Sequence, residues 1–176
     1  MRKRLLFAAA AGAVALAALA SRGRTRRGRR SPPAAVTTEF DGVAAMRIRV
    51  GRGFLDIRVS DEPSVRVAGA QVEQFGDLVD VAARRSSVLV HAPHGTRLEV
   101  HVDRGAARIA GFTKARITLG RGMVELKPAV PAEEERYVVQ IDRGVLLVTL
   151  PEGRSPGSLA LEATVDRGTV RYRTAA

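Results

Sequence analysis

From residue 39 onward, apolar and polar residues alternate along the chain, and the alternation recurs in blocks. Five blocks align on a glycine: Gly53, Gly105, Gly122, Gly144 and Gly168. Seven residues before each glycine stand Met46, Leu98, Ala115, Tyr137 and Leu161, and five before stand Ile48, Val100, Ile117, Val139 and Ala163. Three before are Val50, Val102, Leu119, Ile141 and Val165. The second position beyond holds Leu55, Ala107, Val124, Leu146 and Val170, and the fourth holds Ile57, Ile109, Leu126, Val148 and Tyr172. Period two with charged residues between, such as Arg47, Arg49, Glu99 and Glu125, predicts strands with one buried face.

The apolar parity changes at the glycine, because the step across it is five residues. An unbroken straight strand would turn half of each block into water. Each block therefore reads as a strand, a break and a second strand. The break falls on a repeated phrase: VGRG at 50 to 53, VDRG at 102 to 105, LGRG at 119 to 122, IDRG at 141 to 144 and VDRG at 165 to 168. A type II turn is expected there, with glycine at its positive-φ position and arginine projecting outward. The long gap between Gly53 and Gly105 holds another candidate turn at Gly76-Asp77.

Repeats of this length point to stacked units that cannot bury an apolar face singly. The expected class is all-β, a repetitive β-solenoid of right-handed β-helix type, with an antiparallel meander or sandwich as the alternative. Two-residue hairpins prefer type I′ or II′ turns, which Arg-Gly fits poorly, so stacked corners are favoured. If Asp103, Asp142 and Asp166 lie in register with Arg104, Arg121, Arg143 and Arg167, one edge carries a mixed-charge ladder. Its role would be solubility and protection of the sheet edge.

Before the repeats, MRKR is followed by the uncharged run Leu5 to Ala20 and then by six arginines between Arg22 and Arg30. This predicts a hydrophobic helix in residues 1–20, either a retained membrane anchor or a secretory signal ending at Ala18-Leu19-Ala20; an Arg-rich transit peptide is a further alternative. Residues 21–38 read as a basic, proline-containing linker, and 39–176 as the folded domain. The membrane would be met through residues 5–20 and the basic flank 22–30. Which side of the membrane the domain occupies stays open.

Charge supports this division. The chain of 176 residues carries a net +11, but nine of its 29 Lys and Arg precede Glu39 and none of its 18 acids does. The remaining twenty basic groups nearly balance the eighteen acids, which argues against a nucleic-acid partner for the domain. Aromatic residues make up 4% and tryptophan is absent, so the core is expected to be aliphatic. Lack of cysteine excludes disulfides, thiolate metal sites and a cysteine nucleophile.

The segment VLLVTLPEGRSPGSLALEATVDRGTVRY at 145 to 172 resembles the closing modules of the bacterial adhesin domain family of unknown function, whose β-solenoid is of toast-rack type. FDGVAAMRIRVGRGFLDIRVS at 40 to 60 resembles its opening and HAPHGTRLEVHVDRGAARIAGF a middle module. The resemblance spans about Glu39 to Tyr172 and implies a non-catalytic role in adhesion or in protein or glycan contacts. Family turns more often place Ser, Thr or Asn before Gly-Asp, whereas here only Gly76-Asp77 offers that pair.

Candidate chemistry is sparse. His91, His94 and His101 have the spacing H-x2-H-x6-H, which could supply three zinc ligands. Pro93 and Gly95 instead suggest a turn with solvated histidines. EEE at 133 to 135 reads as a loop charge run, and the chain offers no nucleophile elbow, P-loop or dinucleotide fingerprint. The expectation is a non-enzyme without cofactor, working at or beyond the cell envelope. The alternative is a membrane-tethered cytoplasmic scaffold or regulator.

Overall fold

The computed structural model describes residues 36–129 and 135–175. These residues are all-β: nine strands form one open sheet, joined by one turn of 3-10 helix at Pro156–Ser158. Six strands are long: β2 (Ala45–Val59), β5 (Leu78–Ala92), β6 (Arg97–Ala110), β7 (Lys114–Lys127), β8 (Arg136–Leu150) and β9 (Leu161–Thr174). They run parallel in the order β5, β2, β6, β7, β8, β9. Three short strands, β1 (Thr37–Phe40), β3 (Val65–Ala68) and β4 (Gln71–Phe75), pair antiparallel at the β5 end. A meander of hairpins therefore does not describe the six long strands. The expected N-terminal helix and nearly all of the linker fall outside the described residues; among those described, no helix is long and apolar enough to cross a membrane.

Parallel neighbours ordinarily need a crossover of a dozen or more residues. Here residues 111–113 suffice between β6 and β7. The end of one strand can meet the start of the next so soon because each long strand is bent in the middle and folds back on itself. Hydrogen bonds carry the pairing through the junctions: Gly111 N–H donates to Lys127 O, and Arg136 N–H to Thr113 O.

The bend lies at the aligned glycines, but its form differs from the expected turn. Gly53, Gly105, Gly122, Gly144 and Gly168 sit inside continuous strands with φ between +140° and +158°, well beyond the +80° of a type II turn. The ladder is interrupted at a single residue two positions before each glycine, Gly51, Asp103, Gly120, Asp142 and Asp166, and resumes at once. One out-of-step residue per strand shifts the apolar parity while the ladder on either side stays parallel.

Packing follows the alternation. In β2, β6, β7 and β8 all twenty positions named above are buried, in one cluster fed by both arms of every bent strand. The five exceptions all belong to β9, where Leu161 and Val165 are half-buried and Val170 and Tyr172 are 38% and 45% exposed. β9 pairs on one side only, so its inner face has nothing stacked upon it. Burial contributes about 1.5 to 3 kcal/mol for each large aliphatic side chain, most of it opposed by chain entropy.

A sixth bent strand, β5, follows the same rule without the glycine. Ser86 pairs with Gly53, and Val79, Val81, Ala83, Val88 and Val90 take the five apolar offsets. The missing repeat therefore centres on Ser86, not on Gly76-Asp77, which forms the turn between β4 and β5. Geometry explains the exchange. A β-carbon on each aligned glycine would point at the carbonyl of the strand before it: Gly168 at Gly144, Gly144 at Gly122, Gly122 at Gly105, Gly105 at Gly53 and Gly53 at Ser86, all at 1.7 to 1.9 Å. Ser86 stands first in that series, so no long strand lies where its side chain goes. Its hydroxyl donates instead to Gly69 O at 2.8 Å.

Candidate functional site

The bend lines up side chains as well as glycines. Arg85, Arg52, Arg104, Arg121, Arg143 and Arg167 are successive ladder partners, each on the residue before the bend position, and all six are exposed. The acids do not interleave with them. Asp103, Asp142 and Asp166 stand one residue earlier, at the positions the ladder skips, together with Arg84, Gly51 and Gly120. The expected mixed-charge ladder is thus two adjacent columns, one wholly basic and one of mixed type. An open groove of about 510 Å³ runs beside Arg104, Arg121, Arg143 and Arg167, with Asp142 and Asp166 also on its walls.

The three histidines are spread out. His91, half-buried near the end of β5, pairs in register with Arg58. His94 is exposed in the turn that follows. His101 pairs in register with Arg49, nine residues from Arg58 along β2, and its Nε2 lies 2.8 Å from Asp103 Oδ1. Among the described residues no group of three His, Cys, Asp or Glu has the geometry to hold a metal.

The run at 133 to 135 also departs from expectation. Residues 133 and 134 lie outside the described residues, but Glu135 is half-buried with its side chain turned inward, its Oε2 2.5 Å from Arg154 Nη2 and both side chains under a tenth exposed. Arg154 also donates to Ala129 O and Ser158 O, tying the β8–β9 loop to the body of the stack. Tyr137 is fully buried beneath this loop, its hydroxyl donating to Phe112 O at 2.5 Å. Burial first, and the Glu135 charge second, push the phenol up to about 12. Sequence reasoning missed this junction because its partners are far apart in the chain.

At the opposite end the short strands form a polar cap. The Ser64 hydroxyl donates to Glu39 Oε1 at 2.5 Å, and with Arg66 it holds the Glu39 carboxyl below its ordinary range. A larger groove of about 1090 Å³ opens nearby, where Arg49, Arg84, Arg85, Ser86 and His101 meet Gly69 and Gln71.

Fold and surface together define a class: a repetitive all-β domain of bent parallel strands that presents in-register rows of charge. No protein-family model matches the chain, and no curated protein does. Among solved structures its neighbours include candidate adhesins of bacterial origin. It is similar to a candidate cell adhesion protein from Clostridium sporogenes ATCC 15579, at 8% identity over 80% of this chain and 100% of that one, TM-score 0.48. It is also similar to a candidate adhesin from Bacteroides fragilis NCTC 9343, at 14% identity over 82% and 90%, TM-score 0.28. A candidate lipid binding protein from Parabacteroides distasonis ATCC 8503 shares 11% identity over 80% and 72%, TM-score 0.25.

Proposed function

We propose that residues 39–176 form a β-solenoid of right-handed β-helix type that serves as a non-catalytic, adhesin-like interaction module. It is held at the bacterial cell envelope, or exported across the membrane, by residues 1–20, and its partner is a protein or glycan. The observation that carries this reading is the repeated surface: each bent strand sets an arginine outward in register, at Arg85, Arg52, Arg104, Arg121, Arg143 and Arg167. Stacked repeats make long contact surfaces in this way, whereas an enzyme needs unlike groups converging on one reacting atom.

A second reading rests on β9, which is paired on one edge only and leaves Val170 and Tyr172 exposed. A membrane-tethered cytoplasmic scaffold would capture an extended segment of its partner by strand addition there. Protease treatment of intact cells separates the two. Removal of the domain from outside supports the envelope module, and full protection, with cleavage only after lysis, overturns it in favour of the scaffold.

A further inference from the structure

The arginine column carries an electrostatic cost that folding does not explain. Six guanidinium groups follow one another across adjacent strands, at the sheet spacing of about 4.8 Å and over a length of about 24 Å. Like charges directly opposite across a ladder destabilise it. The bend needs a glycine at the following position in every strand but β5, which has Ser86, and makes no demand on this one, since the side chain here is exposed. Elsewhere in the domain several arginines meet acids, Arg49 with Asp80, Arg58 with Asp56, Arg66 with Glu39 and Glu62, and Arg173 with Glu125; among the described residues Arg84, Arg97, Arg116, Arg136 and Arg171 do not, but these five form no continuous row. Among the described residues, none of the six column arginines has an ion pair or a side-chain hydrogen bond.

We propose that this column is a binding rail for a linear polyuronate, a glycan with one carboxylate on each sugar ring, laid along the stack across the strands. The inference rests on the interaction-module reading and names its ligand class. Guanidinium groups take planar carboxylates in two-pronged pairs. In an extended two-fold polyuronate the rings recur at close to the strand spacing and successive carboxylates turn to opposite sides, so those on one face meet every second arginine of the column. Each exposed pair is weak alone, so only a polymer that engages several arginines at once binds well.

The neighbouring column favours a glycan over a polyphosphate. Asp142 and Asp166 wall the same groove as Arg104, Arg121, Arg143 and Arg167. Carboxylates in that place repel any anion, but they accept hydrogen bonds from the hydroxyls of a sugar ring, which a polyphosphate lacks. Duplex DNA repeats its phosphates at about 3.4 Å per strand, out of step with the rail. Single-stranded nucleic acid is usually held on aromatic platforms, and neither column contains an aromatic residue. Against the three acids stand seven arginines, counting Arg84, so the band keeps its positive sign.

The test uses the full-length protein in detergent, with a fluorescent hexauronate, the single uronate, a neutral glucan hexamer, an oligothymidylate and phosphatidylglycerol vesicles as probes. Hexauronate is expected to bind at least about 100-fold more tightly than the single sugar. Replacing Arg104, Arg121 and Arg143 together by Gln should weaken it by about 100-fold and lower the salt slope by about 2 to 3. A control triple with the same charge change, Arg116→Gln, Arg136→Gln and Arg171→Gln, should cost less than about 3-fold, since these positions lie off the rail. Wild-type melting temperatures in both triples establish that folding is intact. Equal losses in the two triples overturn the proposal, as does equal affinity for the neutral glucan. So does oligonucleotide or vesicle binding that falls with the column triple while hexauronate binding does not. A domain shaved from intact cells that ignores hexauronate overturns the rail alone; a protected domain overturns the envelope reading and leaves the binding constant untouched.

Discussion

At Gly144 a β-carbon would stand 1.9 Å from the Gly122 carbonyl oxygen, and the backbone there has φ of +154°. Both facts penalise any other residue, the first by forcing two paired strands apart and the second by backbone strain. Gly144→Ala should therefore lower unfolding free energy by about 3 kcal/mol or more, whereas Arg143→Ala should stay within about 0.5 kcal/mol. Ser86→Gly tests the directional reading of the bend. It removes one hydrogen bond to Gly69 and relieves no clash, so a change within about 1 kcal/mol is expected. Urea titrations of the three variants measure all these values, and a Ser86→Gly effect as large as that at Gly144 would contradict the order of the stack.

Tyr137 gives the same scale a pH signature. Its folded value of about 12 lies above the ordinary 10, so the un-ionised phenol belongs to the folded state. That contribution is complete below pH 10 and is lost as pH rises from 10 through 12, to an extent of about 2 to 3 kcal/mol. Tyr137→Phe should remove this alkaline loss while costing about 1 kcal/mol at neutral pH through the missing bond to Phe112 O. Denaturant melts of both proteins between pH 8 and 12 make the comparison; parallel curves would refute it.

Among the elements, the loop between β8 and β9 stands out because a buried ion pair pins it. Removing one partner leaves the other charged and buried, so Arg154→Ala should cost about 3 to 5 kcal/mol. The double variant Arg154→Leu, Glu135→Leu should cost less than that single change, because no charge is left unpaired. A larger loss in the double variant would show that Arg154 acts mainly through its bonds to Ala129 O and Ser158 O. The strands themselves differ by position rather than by sequence. β6 and β9 share the phrase VDRG, yet β6 is paired on both edges and buries its apolar row, while β9 is paired on one and exposes its row.

For the molecule as a whole this makes a gradient of stability along the stack. The β5 end is closed by three antiparallel strands with their Glu39, Ser64 and Arg66 contacts, and the β9 end is open. Local opening should begin where the fewest apolar contacts are lost. Hydrogen exchange is thus expected to be fastest in β9 and slowest in β6 and β7, a result readable by mass spectrometry of peptides from each strand. Uniform protection across β6 to β9 would mean that β9 is covered in solution.

Alternation, parity change and the five glycines were enough to locate every strand from β6 to β9, and β2, and to name twenty core side chains. The same offsets, applied without insisting on glycine, would have found β5 at Val79, Val81, Ala83, Val88 and Val90. What local pattern could not supply was neighbourhood. Whether Arg104 faces Asp142 or another arginine depends on register between strands, and register is fixed by the shared apolar interior and by the bend, which align like with like. Period and residue type thus determined the apolar-faced arms and the place of the break between them from the sequence alone, whereas the continuous bent strand in place of a type II turn came from the structure. Only tertiary structure decided that β5 lies outside β2, that Ser86 can replace glycine at the first bend, and that six arginines form one line, because each depends on which strand lies next across the sheet.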